Sequence, residues 1–193
     1  MALAASPQGV GARRLLGAGS LLPSRRTMLY LNQKQQDPHS REWQKQLMGA
    51  DGYLYLGLPA LALSELESIS PAAQQASPVL RARVRVLLHL KRWTEANSLS
   101  EAGNSLYPEE NEFTVQRAFA LHQLKKGTDA VQVLLSAPEW IRRTGILHYN
   151  LACYEAQLGD LTTARQCIKA AIEINSSFKK NARTDPDLAR LWN

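Results

Sequence analysis

Apolar residues between positions 148 and 175 recur at helical spacing in two runs, and the polar pair Gly159-Asp160 separates the runs. Small residues, Ala152 before the turn and Ala164 after it, stand where two helices would approach each other most closely. Leu158 and Ile168 would fill the space beside those close contacts. The pattern predicts two short helices that fold back on each other around a tight turn.

The same pattern returns along the chain at intervals of 34 residues. Stepping back from Ala164, Leu158 and Ala152 by that interval gives three series: Ala130, Ala96 and Ala62; Leu124, Leu90 and Leu56; and Ala118, Val84 and Ala50. Every position reached is apolar, and most of those at the expected close contacts are alanine. The period therefore predicts four helix-turn-helix units, at about 43–76, 77–110, 111–144 and 145–178.

A further helix start follows the fourth unit. Asp185-Pro186-Asp187 supplies a capping carboxylate and a proline suited to a first helical turn. Leu188, Leu191 and Trp192 would then share one side of the helix. We expect residues 179–193 to form a capping helix that covers the apolar face of the last second helix, because the end of a repeat array needs such a cover.

The period and the small residues together resemble the tetratricopeptide repeat family over residues 43–178. The resemblance implies an all-α fold, a right-handed α-solenoid of helix-turn-helix repeats with a C-terminal capping helix. It also implies a concave groove, lined by the first helix of each unit, that holds a peptide or a helix of a partner protein. The analogy assigns these side chains to the groove: Leu47, Asp51, Leu54, Tyr55, Arg81, Arg85, Leu88, His89, Val115, Phe119, His122, Gln123, Tyr149, Asn150, Cys153 and Gln157.

Arg83 and Arg117 depart from the family pattern, which has leucine at this position of the first helix. They stand one period apart, so we expect them on neighbouring helices, where an unpaired buried charge is costly. Either acids such as Glu101 or Glu112 pair with them, or their guanidinium groups reach outward to water. An anion-binding pair is the functional alternative.

The net charge of +6 suggests a nucleic-acid partner until its position along the chain is considered. Five of the 23 basic residues and no acid lie within residues 1–36, which leaves 18 basic against 17 acidic residues in 37–193. The repeats are thus nearly neutral, whereas a nucleic-acid-binding domain keeps a basic surface on its folded body. The net charge is therefore weak evidence for a nucleic-acid partner of the repeats.

Residues 1–36 are basic, free of acids and rich in Gly, Ala and Ser. This composition fits a disordered extension, a stretch upstream of a translation start at Met28, or a transit peptide. We expect a cytoplasmic protein, and a mitochondrial one is the alternative if the segment is a transit peptide. No apolar run approaches the roughly 18 residues that a membrane span needs, so no membrane partner is expected.

Motifs of catalysis are missing from the sequence, which has no Gly-rich phosphate loop, nucleophile elbow or H-E-x-x-H. His89 and His122 offer two imidazoles without a third metal ligand, and Cys153 and Cys167 do not form a C-x-x-C pair. The chain of 193 residues, 45% hydrophobic and 21% charged, has the composition of an ordinary globular protein. We expect no catalysis, no metal and no cofactor.

These observations favour a protein-protein interaction scaffold or adaptor whose partner is a protein or peptide. One alternative is anion or nucleic-acid-associated binding through the arginine cluster of Arg81, Arg83, Arg85 and Arg117. Others are a type III secretion-like chaperone and a self-associating homo-oligomer. The salt dependence of binding distinguishes the first alternative from binding in the groove. Contacts with phosphate weaken steeply as salt rises, whereas aromatic and aliphatic contacts weaken little.

Overall fold

The structure, a computed structural model, describes residues 40–192, with side chains from Trp43 onward. All regular secondary structure in this part of the chain is helical. The predicted extension, residues 1–36, lies outside the described residues. The helices are α1 (Ser40–Tyr55), α2 (Pro59–Glu67), α3 (Ser77–His89), α4 (Trp93–Leu106), α5 (Asn111–Gln123), α6 (Gly127–Leu135), the short α7 (Glu139–Arg142), α8 (Gly145–Leu158), α9 (Leu161–Ile174) and α10 (Phe178–Thr184), with 3-10 turns at Pro71–Ala73 and Pro186–Leu191.

The long helices pack in sequence-adjacent pairs, α1 with α2, α3 with α4, α5 with α6 and α8 with α9. Each second helix also contacts the first helix of the next pair, so the pairs stack into a solenoid. Small residues allow the close approach within each pair, since Ala62, Ala96, Ala130 and Ala164 are all completely buried. The predicted fold class, an all-helical solenoid of helix-turn-helix repeats, is confirmed.

The four turns within the pairs share one backbone conformation. Gly57, Lys91, Lys125 and Gly159 stand one period apart, and each has a positive φ, of 72°, 58°, 63° and 99° respectively. This left-handed conformation reverses the chain at the end of a helix and favours glycine. After the last of these turns, Asp160 caps α9 by accepting a hydrogen bond from the backbone N–H of Thr163 at 2.9 Å.

The buried apolar residues form three clusters of unequal size. The first joins α1, α2 and α3, and the second joins α3, α4 and α5. The third is the largest and extends from α5 through α9 into the C-terminal residues. The hydrophobic core is therefore most extensive at the C-terminal end of the solenoid.

The C-terminal segment, residues 178–192, differs from the single capping helix predicted from the sequence. It bends at Asp185, where α10 ends and a 3-10 turn begins, and Asp185 accepts a hydrogen bond from the backbone N–H of Asp187 at 3.0 Å. Leu188 and Leu191 are buried as expected, but Trp192 is 51% exposed. The indole of Trp192 lies at the edge of the packed segment and donates to the carbonyl oxygen of Ala182 at 3.0 Å.

The C-terminal segment also covers more of the last pair than the sequence predicts. The 3-10 turn packs against α8 more extensively than against α9. Lys179 stands one period after Gly145, the first residue of α8, so the segment occupies the position of a fifth first helix. It therefore covers the first helix of the last pair as well as the second.

None of the helices in the described range combines the length and the apolar character that crossing a bilayer requires.

Candidate partner-binding surface

The first helices of the pairs form one continuous side of the solenoid. Successive first helices, α1, α3, α5 and α8, contact one another directly, whereas successive second helices have at most sparse contacts. Helices that lie closer together are on the inner side of a curved stack. The inner surface is therefore built from first helices, as the repeat resemblance implies.

The residues predicted to line the groove fall into three rows on the successive first helices, each made of residues that stand one period apart. The first row is Leu47, Arg81, Val115 and Tyr149. The second row is Asp51, Arg85, Phe119 and Cys153. The third row is Tyr55, His89, Gln123 and Gln157.

Exposure decreases toward the C-terminus along the first two rows, whereas the third row is exposed at both ends and half-buried at Gln123. Tyr55 is 79% exposed, and Asp51 and His89 are also exposed. Leu47, Leu54, Arg81, Arg85, Val115 and Gln123 are half-buried. Partial desolvation and the neighbouring Arg85 both lower the pKa of His89. The open part of the surface thus lies mainly on α1 and α3.

Ion pairs connect the first three of these helices. Arg85 on α3 pairs with Asp51 on α1, and both side chains remain partly exposed. Arg81 on α3 pairs in the other direction, with Glu112 on α5 at 3.0 Å and with Glu110 just before α5 at 3.2 Å. Because carboxylates neutralise Arg81 and Arg85 locally, these two arginines offer little net positive field to an anion.

Arg83 and Arg117 connect each pair to the preceding one. Arg117 donates to Glu101 on α4 with Nη2 and Oε1 2.6 Å apart, which is one of the pairings expected from the sequence. Arg83 instead donates to the side-chain amide oxygen of Gln74, at 3.2 Å. Glu112 binds Arg81 and not these two. The two guanidinium groups thus serve the packing of successive units.

Three residues predicted to line the groove in the second and third units are packing residues. Leu88 and Phe119 belong to the buried cluster of α3, α4 and α5, and Phe119 contacts the ring of Trp93 edge-on with centroids 6.1 Å apart. His122 is buried and stacks on Tyr154 of α8 with centroids 4.5 Å apart. The prediction that these three side chains are presented to a partner is wrong, because the neighbouring helices cover them.

The C-terminal segment covers the inner surface of the fourth unit. Tyr149, Asn150 and Cys153 are at most 3% exposed, and the phenol of Tyr149 donates to Asp185 at 2.8 Å. The side-chain amide of Gln157 donates to Asp187 at 2.5 Å, although Gln157 itself stays exposed. The predicted open groove is therefore wrong for Tyr149 and Cys153, because the segment takes the place of a further helix there, and it is wrong for Asn150, which is also buried.

The closest approach to a metal site in the described part of the chain is formed by Cys153, Asp185 and Asp187. Each carboxylate already accepts a hydrogen bond, Asp185 from Tyr149 and Asp187 from Gln157. Burial, together with the nearby Asp185, raises the pKa of the Cys153 thiol and keeps it protonated, and a protonated thiol is a poor metal ligand. Burial and the bond to Asp185 likewise raise the pKa of Tyr149. The cluster fastens the C-terminal segment to α8.

Sequence reasoning missed the partners of this cluster. The sequence predicts Asp185 only as a helix cap, yet Asp185 also joins the C-terminal segment to α8 through Tyr149. The period contained a usable signal, since continuing it past residue 178 places this segment beside α8 as a next first helix.

Stacked helix pairs with an inner surface of first helices define a tetratricopeptide-repeat-like α-solenoid. Among solved structures, the chain is similar to MamA 41-end from Desulfovibrio magneticus RS-1, with a TM-score of 0.63 at 15% identity over 80% of this chain and 84% of that one. MamA RS-1 ArsTM double mutant gives a TM-score of 0.62 at 15% identity with the same coverage. MamA MSR-1 C2 gives 0.56 at 18% identity, over 69% of this chain and 76% of that one. The likeness is one of fold.

No protein-family model and no curated protein matches the chain.

Proposed function

We propose that the protein is a non-catalytic interaction scaffold that holds a peptide or helix of a partner protein on its inner surface, chiefly across α1, α3 and α5. The observation that carries the proposal is the third row, where Tyr55 and His89 are exposed and Gln123 is half-exposed on three neighbouring first helices. An aromatic ring, an imidazole and an amide in line provide apolar area and directed hydrogen bonds for one elongated ligand.

The second row defines the character of this ligand. Asp51 and Arg85 lie beside the third row, partly exposed and paired with each other. A bound segment that carries both an acidic and a basic side chain can pair its base with Asp51 and its acid with Arg85, so that no charge is left unpaired. The partner is therefore a segment of mixed charge with at least one apolar side chain, and the arginine cluster is a weaker candidate for binding anions.

The test compares two double variants as bait in the source organism's lysate. Arg85→Ala with His89→Ala removes exposed inner-surface contacts. Leu135→Ala with Trp140→Ala is the matched control, because both residues are 49% exposed and lie outside the first helices. Each protein captured by the native chain is then purified and titrated against all three chains.

A partner that binds the native chain and the control equally, but binds the inner-surface variant at least about tenfold more weakly, supports the proposal. Equal binding by all three chains rejects it, as does a loss confined to the control. Repeating the titration in higher salt separates the alternative, since binding to phosphate groups would weaken steeply.

A further inference from the structure

The first helix of the first pair exposes a side that is covered in every later pair. Met48 is 74% exposed, whereas Ala82, Gln116 and Asn150, at the same position of α3, α5 and α8, are at most 4% exposed. Gly52 is also exposed, while its equivalents are buried: Val86, Ala120 and Tyr154. In the later pairs this side of the helix faces the preceding pair. Nothing in the described range precedes α1, so its side is open.

The turn that follows α1 is apolar where the other turns are polar. Leu58 and Leu61 are 43% and 49% exposed, and the backbone N–H of Leu61 donates to the carbonyl oxygen of Leu58 at 3.1 Å, so the two lie on adjacent positions of one turn. Their equivalents in later units are charged or polar: Arg92, Lys126 and Asp160 for Leu58, and Glu95, Asp129 and Thr163 for Leu61. The chain thus supplies its own comparison, in which only the first unit carries leucine at these exposed positions.

Met48, Leu56, Leu58 and Leu61 together are called the first-unit apolar face. Met48 lies on α1 and Leu56 follows directly after its last residue, with the exposed Gly52 midway between them in the sequence. The backbone N–H of Leu56 donates to the carbonyl oxygen of Gly52 at 3.1 Å, which continues the helical turn. Gly52 leaves open space where a side chain would be, so another chain segment can approach the helix backbone closely. Exposed apolar side chains along one stretch of the chain, at positions where later units are buried or carry polar residues, are typical of a surface that another segment covers.

We propose that residues 28–31, Met28-Leu29-Tyr30-Leu31, which lie outside the described part of the chain, are the segment that covers the first-unit apolar face. The chain that leads to α1 at Ser40 brings this run close to the face. Nine residue steps separate Leu31 from Ser40 and span up to about 30 Å when extended. Met48 and Leu56 stand only about 12 and 24 Å along the helix from Ser40 at 1.5 Å per residue.

Composition supports the same occupant. Residues 28–31 are wholly hydrophobic, whereas residues 32–39, Asn-Gln-Lys-Gln-Gln-Asp-Pro-His, contain no hydrophobic residue. A short connection holds its ends at an effective concentration in the millimolar range. The chain's own segment therefore outcompetes a second copy or a foreign partner of similar chemistry at ordinary protein concentrations.

The test uses the full chain labelled with 13C in its methionine methyl groups. Three methionines, Met1, Met28 and Met48, give three signals, and Met48→Leu identifies the signal of Met48. A soluble paramagnetic reagent then reports how far solvent reaches Met48. The variant is Leu29→Asp with Leu31→Asp, and the matched control is Leu21→Asp with Leu22→Asp, a second apolar pair farther from α1.

The proposal requires that Met48 be shielded in the native chain and in the control, and that its paramagnetic broadening rise several-fold in the variant. Equal broadening in all three chains overturns it. Shielding that is lost on dilution of the native chain also overturns it, because the cover is then a second copy. Helical circular dichroism verifies folding, and a chain beginning at Ser40 repeats the measurement if the double variant loses helix.

Discussion

At the scale of single residues, the four left-handed turns carry glycine in the first and last units and lysine in the two between. A residue with a Cβ pays roughly 1–2 kcal/mol to hold this conformation. The period places these four positions in register. Their shared left-handed conformation could not be predicted from the sequence, because lysine is not typical of a left-handed turn.

Replacing Lys125 by glycine should therefore stabilise the protein. We expect a gain of about 0.5–1 kcal/mol in the free energy of unfolding, which is the relief of the backbone strain less the added chain entropy of glycine. Urea titration followed by circular dichroism measures the change. The neighbouring Lys126 has a φ of −100°, so Lys126→Gly is a matched control that should give no gain. A gain in both variants would remove the explanation by turn conformation.

His122 should make the stability of the protein sensitive to mild acid. Burial and the nearby Lys125 lower its pKa from the ordinary value of 6.5, and the opposing effect of Asp187 is smaller than that of burial. The folded state thus binds a proton less readily than the unfolded chain, and the stability present above pH 6.5 is lost as the pH falls through the lowered pKa.

The measurement is the free energy of unfolding at several pH values for the native chain and for His122→Phe. Phenylalanine keeps a ring stacked on Tyr154 and cannot be protonated. We expect the acid-dependent loss to be smaller in this variant than in the native chain. His89→Gln, at an exposed position, should leave most of the loss in place. Identical pH profiles for the native chain and His122→Phe would show that other groups cause the loss.

At the scale of elements, the C-terminal segment is joined to α8 by apolar contact as well as by hydrogen bonds. Leu188 of the segment is completely buried, and Cys153 lies on the side of α8 that the segment covers. Leu188→Ala should lower the free energy of unfolding by about 2–5 kcal/mol, because it leaves a cavity in the largest core cluster.

The same substitution should expose the Cys153 thiol. In a Cys167→Ser background, we expect a thiol reagent to modify Cys153 faster in Leu188→Ala than in the otherwise native chain. Ala189→Ser, at the exposed neighbouring position, should change stability by no more than about 0.5 kcal/mol and leave the labelling rate unaltered. An unchanged rate in Leu188→Ala would mean that the segment does not control access to α8.

The paired helices follow from the sequence because a small set of buried positions repeats without change. The burial of four alanines can be predicted without knowing any distant contact, because each packs against the other helix of its own pair: Ala62, Ala96, Ala130 and Ala164. The bend at Asp185 was beyond such reasoning. It depends on where Tyr149 and the α8 backbone lie, which is information about residues more than thirty positions earlier.

The inner surface likewise has features that the sequence predicts and features that it does not. Which residues belong to the first helices follows from the period, and so does their order in rows. Whether Phe119 or Tyr149 reaches solvent depends on the width of neighbouring side chains and on the C-terminal segment. Analogy with other repeats predicts neither the neighbouring side chains nor the C-terminal segment.

At the scale of the whole molecule, the unequal core clusters predict unequal local stability. In a stacked array each pair is supported only by its neighbours, and the largest cluster supports α8 and α9 from both sides. Native-state hydrogen exchange should therefore be slowest in α8 and α9 and fastest in α1 and α2, where support comes from α3 alone among the described helices. Uniform protection along the chain would instead indicate that all pairs open together.

The position of the C-terminal segment also decides how the array can be lengthened by protein engineering. A new module appended after Ile174 would compete with residues 178–192 for the same place on α8, so growth at that end is blocked. The junction before Gly145 has no such obstacle, because the helix that begins there already follows a complete pair. A duplicated block of residues 111–144 inserted at this junction should stack as one more helix pair. The last pair would then keep the C-terminal segment packed on α8.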